Sequence, residues 1–217
     1  MRIACVGYRD WALQIYDDLA RSSNHLFLII RNKSQFSEEI LSDFKPDLVL
    51  FYGWSWIIPE DILSKYKCLM LHPSPLPKYR GGSPIQNQII AGEKKSKVTI
   101  FLMTNELDAG DILAQGDLSL EGTLDEIFQS MTHLGIVLTN QLLEKGLNPI
   151  KQDNSQATFC KRRKPEDSEI TLEEIKTASA EYLYNKIRML ADPYPNAFIR
   201  TADGKKLLLK ASEISDN

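Results

Sequence analysis

Short apolar runs alternate with stretches of helical periodicity through the first 150 residues, and that order constrains the fold more than any other feature of the chain. Arg2 to Val6 reads as a strand and Gly7-Tyr-Arg-Asp10 as a turn, after which Ala12, Ile15, Tyr16 and Leu19 recur at helical spacing. Leu26 to Ile30, Leu48 to Tyr52 and residues 67–71 are further strands, with a short helix over Phe36 to Phe44. Strands alternating with helices predict an α/β fold: a Rossmann-like, mostly parallel sheet flanked by helices, with right-handed crossovers. The first turn carries a single glycine. Gly7-Tyr-Arg-Asp-Trp-Ala therefore fails the Gly-x-Gly-x-x-Gly pattern of a dinucleotide site.

Parallel sheets of this kind place their ligand crevices beyond the C-terminal ends of the strands, and His72 falls at such an end. Pro73, Pro75 and Pro77 follow it; each fixes its own φ and restricts the residue before, so the loop is stiff. Gly81 and Gly82 then permit close backbone approach, and Ser83-Pro84 has the form of a helix start, with Ser83 as N-cap and Pro84 in the first turn. Val98 to Met103 is another strand. The turn after it, Glu106-Leu-Asp-Ala-Gly-Asp111, carries three carboxylates, one of which could orient His72. Histidine suits proton transfer because its ordinary pKa of about 6.5 lets it act as base and acid near neutrality. Lys78 and Arg80 on the stiff loop, with Arg162 and Arg163 in the basic run 161–164, could meet a diphosphate, or could simply form a solvated basic face.

The remainder of the chain is less specific. Thr123-Leu-Asp-Glu126 has the form of a capping box opening a long helix, with Ile127, Met131, Leu134, Leu138 and Leu142 as its apolar stripe. His133 within that helix and His25 read as ordinary surface or packing histidines. The chain turns polar from Asn148 to Ser168, which places a boundary near 150: a main domain over 1–150 and a small C-terminal α+β appendage over 151–217, with a helix over 172–191 and a hairpin of Ala197–Arg200 and Leu207–Lys210. With 217 residues and 43% hydrophobic content the chain can bury one sizeable core. A net charge of −3 supplies no basic field, which argues against nucleic acid. Cys5, Cys68 and Cys160 are scattered and read as reduced thiols, not as a metal site. No signal peptide or membrane span is evident, so a cytoplasmic location is expected.

His72, Ser74, Leu76 and Pro77, with Asp108 in Leu107-Asp-Ala-Gly-Asp111, resemble the signature of the formyltransferases that use 10-formyltetrahydrofolate. Trp54-Ser-Trp-Ile-Ile-Pro59, Lys161-Arg-Arg-Lys-Pro-Glu-Asp167, Asn185-Lys-Ile-Arg188 and Pro193-Tyr-Pro195 are similar to segments of the branch that formylates sugar nucleotides. The resemblance implies His72 and Asp108 as the catalytic pair and 10-formyltetrahydrofolate as co-substrate. It places the pterin against Tyr52, Gly53, Trp54, Ile57, Leu107 and Asp111, although Asp111 could equally open the next strand. It implies a nucleotide-linked amino sugar as acceptor, held by Asp10, Trp11, Ser74, Lys78, Arg80, Arg162 and Arg163, and leaves a homodimer open. Methionyl-tRNA formyltransferase is the rival within the family; such enzymes carry a larger C-terminal domain than the residues after 150 provide. Glycinamide ribonucleotide formyltransferase has a similar length but lacks the tail segments. One position departs from the pattern. The family's asparagine two residues before the histidine corresponds to Met70, which cannot donate a hydrogen bond. Either Ser74, Gln86, Asn87 or a backbone amide replaces that donor, or the rate is low, or the chain is a folate- or nucleotide-binding module.

Overall fold

The computed structural model describes residues 1–192 and 194–215. Its elements in chain order are β1 (Arg2–Val6), α1 (Asp10–Ser22), β2 (Leu26–Ile30), α2 (Glu38–Phe44), β3 (Leu48–Tyr52), α3 (Glu60–Lys65), β4 (Cys68–His72), β5 (Arg80–Gly81), α4 (Pro84–Ile90), β6 (Lys95–Leu102), β7 (Ile112–Ser119), α5 (Leu124–Lys145), β8 (Phe159–Cys160), α6 (Leu172–Thr177), α7 (Ala180–Arg188), β9 (Ala197–Arg200) and β10 (Lys206–Leu209). Six strands form the central sheet in the order β2-β1-β3-β4-β6-β7. The first four are parallel, and β6 and β7 add an antiparallel flank. This is the expected mostly parallel sheet with helices on its faces.

Strand alternation divides the interior in two. Ile3, Cys5, Leu48, Leu50, Leu69 and Leu71 face one side, where α1, α4 and α5 cover them; Ala4, Val6, Val49, Phe51 and Cys68 face the other, with α2 and α3. All of β3 is buried because it lies between β1 and β4 with both faces covered, which is why it reads as an unbroken apolar run. Within the first core the Tyr16 hydroxyl donates to backbone carbonyls and accepts from the Tyr52 N–H at 2.6 Å, bridging α1 to the sheet. The α1 and α5 helices meet at Gly135, where an added Cβ would lie 2.4 Å from Ile15 and 3.0 Å from Leu71. Cys5 and Cys68 are buried free thiols, and desolvation pushes Cys68 up to about 12, so both stay protonated.

The edge strand β7 carries Gln115, Gly116 and Asp117, with α5 covering one of its faces. Two local expectations change. The helix expected over 172–191 is two helices: Ala178 is extended and Ser179 restarts the chain as an N-cap, its hydroxyl accepting from Tyr182 N–H. Ser83 does not cap α4. It sits at φ 52°, and its hydroxyl accepts instead from the Arg163 N–H at 3.1 Å. The capping box at Thr123 and Glu126 and the β9–β10 hairpin form as expected, with Gly204 at φ 80° in its turn. Among the described residues no helix is long and apolar enough to cross a membrane.

After α5 the chain runs back beneath the loop that follows His72. Ile150 bridges Ile112, Arg80 N–H donates to Thr158 O at 2.8 Å, and β8 pairs with β5. Residues 150–163 thus brace the loop from below.

Candidate active site

β4 ends with His72 at the rim of the sheet, and the loop beyond it is tied down bond by bond. Ser74 Oγ donates to Lys78 O at 2.8 Å, Thr99 Oγ1 donates to Ser74 O at 2.6 Å, and Gln115 donates to Leu76 O at 3.1 Å. Tyr79 takes the left-handed conformation at φ 59°, its N–H held by Thr158 Oγ1. That bend aims the Tyr79 carbonyl at His72 Nε2, 2.8 Å away. A carbonyl only accepts, so Nε2 carries the hydrogen and Nδ1 is the atom left for proton exchange.

Nδ1 faces Asp108 Oδ2 across 3.6 Å, too far for a direct hydrogen bond and close enough for an ion pair once the ring is protonated. Both residues are buried, His72 5% and Asp108 8% exposed. Asp108 is itself in the left-handed region at φ 49°, and its Oδ2 accepts from the Gly81 N–H at 2.8 Å. Two features hold that turn. Gly110 presses so closely on β6 that a Cβ there would lie 1.7 Å from Leu102 O, and Gln152 donates to Asp108 O at 2.9 Å and to Gly110 O at 2.6 Å. Gln152 is fixed in turn by the buried Arg80 guanidinium, which donates to its Oε1 at 2.7 Å and to Asn154 Oδ1 at 2.7 Å. A chain of hydrogen bonds therefore runs from Arg80 through Gln152 to the turn that presents the carboxylate.

His72 and Asp108 open onto a cavity of about 1090 Å³. This exceeds the roughly 300–1,000 Å³ of a pocket for one drug-sized ligand, so two reactants can share it. Of the residues singled out in the sequence, Gly53, Trp54, Ile57, Leu107, Trp11, Arg162 and Arg163 line this cavity with His72 and Asp108. The structure places the others elsewhere. Tyr52 is fully buried with its hydroxyl 3.1 Å from Thr139 Oγ1. Asp111 gives its carbonyl to Leu102 N–H, joining the β6–β7 pairing. Asp10 is exposed at the start of α1, Lys78 is exposed on the loop, Ser74 is spent within it, and Arg80 points to Gln152 and Asn154.

Met70 lines the cavity two residues before His72 on the same strand face and offers it only a thioether. Of the candidate replacement donors, Ser74 is spent, and Asn87 donates to Gly82, Ser83 and Lys161 carbonyls, each at 3.0 Å. Gln86 is 3% exposed, lines the cavity, and leaves its Nε2 without a partner. Tyr8, Arg9 and Phe128 line the cavity, and Gln152 braces its carboxylate turn, without having been marked in the sequence; Met131 reads there only as core and Tyr194 only as part of a matched segment. Arg9 lies 4.8 Å from the Tyr8 ring centroid and 5.4 Å from that of Tyr194. Burial pushes the Tyr194 hydroxyl above its ordinary range, against the opposing influence of Arg9 and of the adjacent Gln86 amide. The position of Arg9, one turn beyond β1 at the sheet's C-terminal rim, is the signal that could have found it. Pro193 of the Pro193-Tyr-Pro195 segment lies outside the described residues.

Comparison with known proteins corrects the acceptor. Residues 13–143 match the formyl transferase family, and residues 165–217 match the C-terminal domain of methionyl-tRNA formyltransferase. The methionyl-tRNA formyltransferase of Ehrlichia canis is 38% identical over 187 residues, 83% of this chain and 58% of that protein. A methionyl-tRNA formyltransferase structure from Clostridium thermocellum superposes with a TM-score of 0.85 at 34% identity, over 96% of this chain and 96% of that one. A sugar N-formyltransferase from Shewanella reaches a TM-score of 0.76 at 18% identity over 100% and 99% of the two chains, a likeness of fold alone. These relatives overturn the nucleotide-linked amino sugar as acceptor and the exclusion of nucleic acid. Net charge averages the whole surface and does not report the cavity, which Arg9, Arg162, Arg163 and Lys164 line together with Glu60, Glu106 and Asp108. The chain belongs to the formyl transferase family.

Proposed function

We propose that the chain moves the formyl group of 10-formyltetrahydrofolate to the α-amine of methionyl-tRNA. The observation that carries this reading is the 34% identity with the Clostridium thermocellum enzyme over nearly the full length of both chains. The chain spans a little over half the length of the Ehrlichia canis relative, 58%, so the acceptor is inferred here from the shared part.

The geometry supports the chemistry in three ways. First, the amine must lose a proton as it attacks the formyl carbon, and the folate nitrogen must gain one as its bond to that carbon breaks; the products are a formamide and tetrahydrofolate with no net proton change. His72 Nδ1 can carry that proton, since Nε2 is fixed on Tyr79 O. Second, Asp108 at 3.6 Å stabilises the imidazolium while it exists. Third, the hydrogen-bonded loop and turn hold both groups in place before substrate arrives, which avoids reorganisation during reaction. The aromatic wall built from Tyr8, Trp54 and Trp56, with centroids 4.7–6.4 Å apart, offers flat apolar surface for a pterin. Cations at the rim suit an RNA phosphate backbone, which makes binding salt-dependent.

The test is incubation with 10-formyltetrahydrofolate and methionyl-tRNA, hydrolysis of the ester, and identification of the released amino acid. N-formylmethionine is expected from methionyl-tRNA and none from uncharged tRNA. Absence of N-formylmethionine with intact, folded protein would overturn the reading; donor binding without turnover would point instead to a binding module.

A further inference from the structure

The cavity has two unlike halves, and strand alternation makes them so. One half is walled by Trp54, Ile58, Met70 and Met103, which belong to the core on the α2 and α3 side of the sheet. The other is walled by Trp11, Ile85, Phe128, Met131, Leu190 and Tyr194, which belong to or pack on the core beneath α1, α4 and α5. β4 contributes to both, Met70 to one and Leu71 to the other, and His72 stands at its end. The reacting histidine thus caps the strand that separates two subsites.

The second half is largely apolar; its polar groups include Gln86, the Tyr194 hydroxyl and Arg9 over the Tyr194 ring. Gln86, 3% exposed on α4, sets its amide toward the Tyr194 hydroxyl, but the contact falls outside hydrogen-bond geometry and leaves the buried Nε2 without a full partner. A buried amide left unsatisfied costs roughly 1–3 kcal/mol, so such a group in a cavity wall calls for an explanation. The last torsion of glutamine is broad, and turning it brings Nε2 toward the cavity at little cost. An acceptor oxygen entering that half would satisfy it. Resting on the proposed transfer to methionyl-tRNA, with the pterin against the Trp54 side, we infer that the half around Phe128, Met131 and Leu190 takes the aminoacyl side chain of the acceptor, and that Gln86 donates to its ester carbonyl. An unbranched thioether fits walls of Phe, Met and Leu without leaving any polar group unpaired. The bond to Gln86 would fix the ester and turn the α-amine toward His72. Gln86 is therefore a positioning residue.

The experiment is steady-state kinetics of Gln86→Glu and Gln86→Met with methionyl-tRNA and 10-formyltetrahydrofolate varied separately. Glutamate keeps the shape and replaces the donor by an acceptor; methionine keeps the length and removes both, and thermal melting verifies that each variant is folded. The expected result is a rise in KM for methionyl-tRNA of roughly 10- to 100-fold in each, the scale of one lost hydrogen bond with its partner left buried, with KM for the folate unchanged. An acceptor KM within about threefold of wild type in the folded variants, or a change confined to the folate KM, would overturn the inference while leaving formyl transfer to methionyl-tRNA intact. Failure of the wild-type protein to form any N-formylmethionine is a different result: it removes the acceptor assignment itself and this inference with it.

Discussion

Replacing Asp108 by asparagine isolates the charge of the proposed catalytic pair, His72 and Asp108, from its geometry. Asparagine tolerates the left-handed φ of 49° and keeps an oxygen that can accept from the Gly81 N–H, so the turn survives. What disappears is the carboxylate 3.6 Å from His72 Nδ1. With an effective dielectric constant near 20, two unit charges at that distance attract by about 5 kcal/mol. A transition state in which the ring carries between half and all of a positive charge then loses roughly 2–5 kcal/mol, or about 30- to 3,000-fold in rate. The asparagine amide adds a second effect in the same direction: its NH₂ can donate to Nδ1 and occupy the lone pair that must take the proton. Single-turnover formyl transfer to methionyl-tRNA measures this, beside a thermal melt. The expected result is a fall of at least about 30-fold with a melting temperature shifted by only a few degrees. A rate within threefold of wild type would refute the assignment of the proton-bearing role to this pair.

Three further outcomes follow from the same contacts. Met70→Asn places an amide donor on the strand face of His72, and kcat should rise by up to roughly a hundredfold if the missing donor limits the reaction; an unchanged kcat would mean that another group already serves. Arg80→Met removes the guanidinium from Gln152 and Asn154 and should cost about 2–4 kcal/mol in urea unfolding together with most of the activity, and Arg80→Lys should restore little because lysine lacks the fork; full activity in either variant would break the link from Arg80 to Asp108. Lys186→Met tests the C-terminal region, where the buried ammonium bonds Glu174 at 2.5 Å and Glu169 O at 2.6 Å. Burial disfavours the Glu174 carboxylate, but the bonds from Lys186 and from the Thr171 N–H prevail and hold it below 4.5. A carboxylate so depressed stabilises the fold above about pH 4.5 and loses that contribution as the pH falls below it. The variant should therefore unfold more readily at neutral pH and approach wild type in acid; a pH-independent gap would contradict the assignment.

How much of this was legible in the sequence depended on whether the signal was local. β3 and β1 announced themselves because burial on both faces demands unbroken apolar runs, and the Thr123 capping box marks α5 within four residues. β7 did not, since an edge strand with one covered face can hold Gln115 and Asp117. His72 is legible at a strand end before a stiff loop, whereas the turn after β6 offers Glu106, Asp108 and Asp111 alike, and only the family resemblance picks out Asp108. Arg80 was read as an anion ligand because its role depends on Gln152 and Asn154, more than seventy positions away, and nothing local shows that its side chain turns inward. Gln86, Phe128 and Tyr194 converge only once α4, α5 and the chain after α7 are packed together. The acceptor was misread for a different reason: the segments at 161–167, 185–188 and 193–195 resemble the sugar branch, yet residues 165–217 match the C-terminal domain of methionyl-tRNA formyltransferase.

Formyl transfer to an aminoacyl-tRNA is the proposed activity of this fold. A single competition measures it most directly: isotopically labelled 10-formyltetrahydrofolate offered together with methionyl-tRNA and a panel of nucleotide-linked amino sugars, followed by identification of the labelled product. Label is expected on the methionine nitrogen, lost in His72→Ala. Label on an amino sugar with none on methionine would contradict it.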